Sequence, residues 1–142
     1  DRPGVAARLF AALEEAHLCA DAIVQNASVH GPETDLTFTV KRDDLARAVA
    51  CVEPVLQAVG ARGLQTNEAL GKVSIVGTGV LNTPGYAARM FRTLADCGIN
   101  IELITTSEIR ITCIVARERV AEAVRALHAA FQLEKAEPLA EE

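Results

Sequence analysis

The chain states one pattern twice. Residues 1–24 (DRPGVAARLFAALEEAHLCADAIV) and 82–105 (NTPGYAARMFRTLADCGINIELIT) share Pro3 with Pro84, Gly4 with Gly85, Ala6 and Ala7 with Ala87 and Ala88, Arg8 with Arg89, Phe10 with Phe91, Leu13 with Leu94, and Ile23 with Ile104. A second block, TFTVKRDDLARAV (37–49), matches TCIVARERVAEAV (112–124) through Thr37, Val40, Arg42, Ala46, Ala48 and Val49. The spacing shifts by six residues between the blocks, which marks SVHGPET (28–34) as an insertion in the first copy. A repeated segment defines the structural unit. Here that unit is a small module of about 70–75 residues, used in tandem. Two copies are too few for a solenoid. They predict a pseudo-symmetric pair, over 1–66 and 67–142, with two related sites or one shared between copies.

The second copy reads as a complete order of elements. GKVSIVGTG (71–79) is a short apolar run closed by glycines, hence a strand and a turn. Pro84 opens a helix, with Gly85 at its second position; Tyr86, Met90 and Leu94 form its apolar face and Gly98 ends it. Ile99, Ile101 and Leu103 alternate with Asn100 and Glu102 as a strand, TTSE (105–108) separates it from a second strand through Ile109, Ile111, Cys113 and Val115, and Val120, Val124, Leu127 and Phe131 line a closing helix. The order is β-α-β-β-α, and a closing strand makes it βαββαβ.

The first copy repeats this order through Val5, Leu9 and Leu13, then Ile23 and Val24, then Leu36, Phe38 and Val40, then Leu45, Val49, Val52, Leu56 and Val59. Pro54 interrupts the last helix without an evident reason, and GLQTNEAL (63–70) is the expected closing strand. No opening strand precedes Asp1, so residues before it are expected in the natural protein. The tail EKAEPLAEE reads as a frayed acidic end.

The fold class is therefore α+β, with antiparallel sheets and helices on one face. A single doubly wound domain is the alternative and would require parallel strands. Half of the residues are hydrophobic and none is Trp, so the core is aliphatic. A net charge of −5 with interspersed signs lacks the basic patch that nucleic acid or an anionic membrane needs. No apolar run approaches the ~18 residues of a membrane span and no signal peptide is evident, which predicts a cytoplasmic protein. The four cysteines, Cys19, Cys51, Cys97 and Cys113, have no metal-ligand spacing and read as buried, reduced thiols. His17, His30 and His128 have no nucleophile or ligand partner at matching places in the two copies. No phosphate-binding glycine loop, zinc-protease motif or serine elbow is present. The pattern predicts a binder with no catalytic residues, no metal and no cofactor.

One repeated loop carries chemistry: Asp1-Arg2-Pro3-Gly4 and Asn82-Thr83-Pro84-Gly85. A helix N-terminus offers unpaired N–H groups and partial positive charge to a carboxylate. Glycine lets a ligand approach the backbone, and an adjacent Asp or Asn oxygen accepts from an ammonium. These are the two poles of a free amino acid. The plainer alternative is an ordinary helix cap.

D-x-P-G, an amphipathic helix and then G-I-N-I resembles the ACT domain, a ferredoxin-like βαββαβ module that binds amino acids in allosteric enzymes. NIELITTSEIRITCIV (100–115), with IVQNASV…TDLTFTV (23–40) in the first copy, is similar to the paired ACT domains of the aspartokinase family. The resemblance runs from Asp1 to about Leu133. It implies a regulatory (β) subunit of a heteromeric bacterial enzyme, or a C-terminal piece of the catalytic (α) subunit, with no turnover of its own.

By that resemblance threonine binds near Asp1, Gly4, Val5, Ala6, Gln25 and Asn26, with Asn100 and Ile101 supplied across an ACT interface. The helix amides would hold the carboxylate, Asp1 the ammonium and Gln25 the hydroxyl. A second site would use Asn82, Gly85, Tyr86, Ala87, Thr106 and Ser107, with Cys19, Ala20 and Asp21 opposite, and would suit lysine if Asp21 or another acid meets its ε-ammonium. Cys19 stands where the second copy has Asn100, a departure from the family pattern at that site. The resemblance further implies a homodimer of the isolated pair and association with the α subunit. An ACT sensor of another biosynthetic enzyme and a ligand-free assembly module are the rival readings.

Overall fold

A computed structural model of the chain describes residues 3–80 and 82–131. The chain divides between Glu68 and Ala69 into two compact units. The first contains α1 (Val5–Glu15), β1 (Ile23–Ala27), β2 (Thr34–Phe38) and α2 (Leu45–Val59). The second contains β3 (Leu70–Val76), α3 (Tyr86–Asp96), β4 (Leu103–Ser107), β5 (Arg110–Ala116) and α4 (Val120–Ala130). A single tight turn of helix, Arg42–Asp44 or Arg117–Arg119, leads into α2 and α4. The three strand pairings are all antiparallel, β1 with β2 and the order β3-β5-β4, so the doubly wound alternative is excluded. The architecture is the expected α+β pair of ACT-like modules.

In the second unit, Val73, Ile111, Cys113 and Val115 point from the sheet onto Met90, Leu94, Ala123 and Leu127 of the two helices. This is what alternation in a strand and three-to-four spacing in a helix produce when both bury one face. Both helices therefore lie on one face of the sheet. Cys113 is fully buried there with its thiol 4.0 Å from the Met90 sulfur, and burial pushes its pKa up to about 11. In the first unit, Leu9, Leu13, Ala48 and Val52 form the corresponding core, with Leu36 and Phe38 packed on it.

Several expected boundaries move. Ile99–Glu102 are not strand: β4 begins at Leu103, although the Glu102 amide still donates to the Ile114 carbonyl at 2.8 Å. Thr105, Thr106 and Ser107 are not a loop but the end of β4, paired with Thr112, Ile111 and Arg110, and only Glu108 and Ile109 turn the chain. Residues 63–68 form no strand, and Leu70 opens β3 of the second unit instead of closing the first. Val124 is 49% exposed, because Ala123 takes the inward position on α4. Pro54 lies inside α2 and does not end it. The insertion is confirmed as the hairpin loop between β1 and β2, closed by Ser28 N–H to the Glu33 carbonyl at 2.9 Å. The acidic tail lies outside the described residues.

The first helices end alike. Gly98 takes φ 68° after α3, and its counterpart after α1 is His17 at φ 53°. The same two bonds close each end: His17 N–H to Glu14 O and Leu18 N–H to Leu13 O, Gly98 N–H to Ala95 O and Ile99 N–H to Leu94 O. A residue with a Cβ loses about 1–2 kcal/mol in this conformation, while glycine loses about 0.5–1 kcal/mol of extra chain entropy. His17→Gly should therefore stabilise the first unit by about 0.5–1 kcal/mol and Gly98→Ala should destabilise the second. Urea midpoints of both variants check this, and a lowered midpoint for His17→Gly would contradict it.

Candidate functional site

Both units build the same backbone device at the start of the first helix. Gly4 and Gly85 hold φ of 92° and 101°, a left-handed conformation that glycine adopts without strain. They are the caps, so the helices begin at Val5 and Tyr86, and Pro3 and Pro84 precede the cap instead of opening the helix. The cap residues, being glycine, supply no side-chain hydrogen bond to either helix. The first-turn amides of Val5, Ala6, Tyr86 and Ala87 lack an acceptor within the helix. Partial positive charge gathers there.

In the first unit, Gly4, Val5, Ala6 and Gln25 line one cleft of about 1280 Å³. Its floor is apolar, from Leu9, Leu36, Phe38, Val52 and Leu56, and its rim carries the Arg62–Glu33 ion pair. In the second unit β3 pairs along β5 and covers the equivalent flank. No strand among the described residues lies along the second edge of β2. Its volume far exceeds one amino acid, and its polar lining includes the α1 start and Gln25. The Thr34 hydroxyl oxygen, on the same wall, is buried without a hydrogen-bond partner among the described residues.

Asn26 does not join this group. Gln25 pairs with Leu36, which packs toward the helices, whereas Asn26 pairs with Asp35 on the opposite face. The same alternation separates Thr106, paired with the core residue Ile111, from Ser107, paired with exposed Arg110. Asp1 lies outside the described residues. Asn100 and Ile101 sit in the loop between α3 and β4, where Asn100 Nδ2 donates to Glu102 Oε1 at 3.0 Å. Cys19, Ala20 and Asp21 occupy the equivalent segment after α1. Cys19 is exposed and Cys51 and Cys97 are half-buried, so the expectation of four buried thiols holds for Cys113 alone. Cys19 is exposed between Leu18, which is buried in the core, and Ala20, which packs against it.

At the second helix start, the Asn82 and Thr83 amides both donate to the Gly79 carbonyl, at 3.1 and 3.0 Å. Tyr86 stacks on Phe131, with centroids 5.9 Å apart and planes at 16°, and the Arg89 guanidinium lies 5.3 Å from the Phe131 ring centre. Val5 stands at the Tyr86 position in the first copy. The two helix starts therefore differ in shape although their backbones agree. Linear spacing places Phe131 only on a helix face, and nothing in it joins positions 86 and 131 into this aromatic group.

Among the described residues no group of three metal-ligating side chains gathers, and no helix is long and apolar enough to cross a membrane.

Comparison with known proteins bears on these features. The family model for the ACT domain matches residues 1–55 and 73–131. An aspartokinase of Thermus thermophilus is 43% identical over 137 residues, covering 96% of this chain and 34% of that protein. The chain thus spans about a third of the length of the curated relatives it matches. The solved regulatory subunit of aspartate kinase from Thermus thermophilus, in ligand-free form, superposes with a TM-score of 0.84 at 41% identity, covering 92% of this chain and 86% of that one. A structure of aspartokinase alpha and beta subunits gives a TM-score of 0.83 at 37% identity, with 93% and 86% covered.

Proposed function

This chain belongs to the ACT-domain family as the regulatory ACT pair of aspartate kinase, and from that premise we propose that it binds threonine, lysine or both and conveys feedback inhibition to a catalytic subunit. Aspartate phosphorylation then responds to end products of the lysine, threonine and methionine route. The carrying observation is that the α1 start after Gly4 and Gln25 line one cleft of the first unit. Those amides bind the threonine carboxylate, Asp1 its ammonium and Gln25 its hydroxyl, with Asn100 and Ile101 supplied by a partnering module. Asn26 serves only through the backbone, since its side chain is on the other sheet face.

The second helix start, with Asn82, Gly85, Tyr86, Ala87 and Thr106, takes lysine, whose ε-ammonium meets Asp21; Cys19 and Ala20 flank it and Ser107 acts from the outer face. Exposed sheet edges favour a homodimer of the isolated pair and association with the α subunit in the cytoplasm. The chain alone turns nothing over.

Isothermal titration of threonine and lysine into the protein tests this reading. Gln25→Ala should weaken threonine about tenfold, the worth of one hydrogen bond with its unpaired partner. Threonine should also tighten the dimer in sedimentation, because a ligand at an interface stabilises the associated state. Absence of binding for both amino acids would leave a ligand-free assembly module, and a response to serine or phenylalanine instead would indicate a sensor of another enzyme.

A further inference from the structure

The two units tie down the loop after their first helix by arginines that stand at different places in the repeat. In the second unit Arg119, at the start of α4, donates from Nη2 to the Cys97 carbonyl at 2.8 Å and from Nη1 to the Gly98 carbonyl at 3.4 Å. Its Nε donates to Glu122 Oε2 at 2.7 Å. In the first unit Arg47, inside α2, donates from Nη2 to the Ala16 carbonyl at 2.6 Å and lies 3.5 Å from Asp44. Ala16 and Cys97 are the same position of the repeat, each closing a first helix. The aligned blocks place Asp44 against Arg119 and Arg47 against Glu122. Acid and base have exchanged positions, and the bond to the carbonyl is kept.

A helix C-terminus presents unpaired carbonyls and partial negative charge, so a guanidinium is suited to it. The acid one turn away orients the guanidinium, and the Arg119 hydrogen bond holds the Glu122 carboxyl below the usual carboxylate range. The loops so held are 97–102, with Asn100 and Ile101, and 16–21, with Cys19, Ala20 and Asp21. At its far end the first of these is fixed by Glu102 N–H to the Ile114 carbonyl, and Asn100 is fixed by Glu102. At its near end Ile99 is buried in the core cluster with Ala123 and Leu127, and the clasp adds polar bonds from the start of α4 to the Cys97 and Gly98 carbonyls.

We infer that Arg119 and Arg47 are positioning residues for effector binding, each setting the loop of its unit that contributes to the opposite half of an amino-acid site. The inference rests on the proposed effector reading. It accounts for the exchange of charges: what matters is a guanidinium on the helix-end carbonyl, delivered from either position one turn apart. A cation that merely solvated the surface would have no need to reach the same carbonyl from both.

Amide hydrogen exchange and isothermal titration, on the full chain, test the inference together. Arg119→Ala should speed exchange of amides 97–102 by about tenfold or more, leave the hairpin loop 28–33 unchanged, and weaken threonine by a similar factor. The double exchange Arg119→Glu with Glu122→Arg recreates the first-unit arrangement and should restore both readouts. Glu122→Gln keeps the carbonyl bonds and should shift threonine affinity less than threefold, a control that holds if the double variant folds poorly. Unchanged exchange in Arg119→Ala, or faster exchange with unchanged affinity, overturns the inference. Failure of the wild-type protein to bind either amino acid overturns the effector reading instead, and the exchange data then show a clasp that is structural alone.

Discussion

Leu94→Ala should destabilise the second unit by about 2–5 kcal/mol, the range for deleting a fully buried leucine from a close-packed core. Leu94 has no exposed surface and packs in the cluster with Met90, Val73, Ile111 and Val115. Removing its branched end leaves a void between α3 and the sheet that neighbours cannot fill without leaving their own contacts. Since whole domains are stable by only about 5–15 kcal/mol, a loss of this size populates the unfolded unit. Val124→Ala provides the contrast. That side chain is half exposed on α4, and its truncation should change stability by under about 0.5 kcal/mol. Urea denaturation of both variants decides the matter, and equal midpoints would mean that the core is assigned to the wrong helix face.

Alkaline pH should destabilise the second unit through Cys113. The thiol ionises near 9.0 when unperturbed and near 11 in the folded state, because burial penalises the thiolate. Below the lower value both states keep the proton and stability does not depend on this group. Above it the unfolded chain loses the proton while the folded one retains it, so unfolding gains free energy as pH rises. The stability contributed is lost between about pH 9 and about pH 11 and is on the order of 3 kcal/mol, from a difference of roughly two pKa units. Cys113→Ala should start from a lower stability at neutral pH and lack this part of the alkaline decline. Parallel declines in the two proteins would show that other groups account for it. The same burial predicts an order of reaction with an alkylating reagent, exposed Cys19 first and Cys113 only on unfolding.

What the amino-acid order determined by itself was everything that rests on local spacing. Two copies, the helices and paired strands of each, the inward faces around Leu13 and Leu94 and the inserted loop at 28–34 all follow from contacts a few residues apart, whereas the closing strand expected at 63–70 does not form. Helical periodicity and turn chemistry are properties of a short window, and the repeat offers each window a second reading. The motif TTSEIRI identified the family, yet TTS proved to be strand, because a strand ends where its partner stops pairing. Thr105, Thr106 and Ser107 are held by Thr112, Ile111 and Arg110 in a register that alternation alone does not set.

Tertiary structure alone decided the rest. It separated Gln25 from Asn26 onto opposite faces, since adjacent strand residues diverge once the register is known. It closed Tyr86 on Phe131 under Arg89, a contact between chain segments that no window spans. It gave Arg47 and Arg119 a common target in two carbonyls whose availability depends on where the helices end, and on which side the next helix passes. Side-chain type and period are written along the chain. Which donor meets which acceptor is settled only when packing brings distant segments within hydrogen-bond reach.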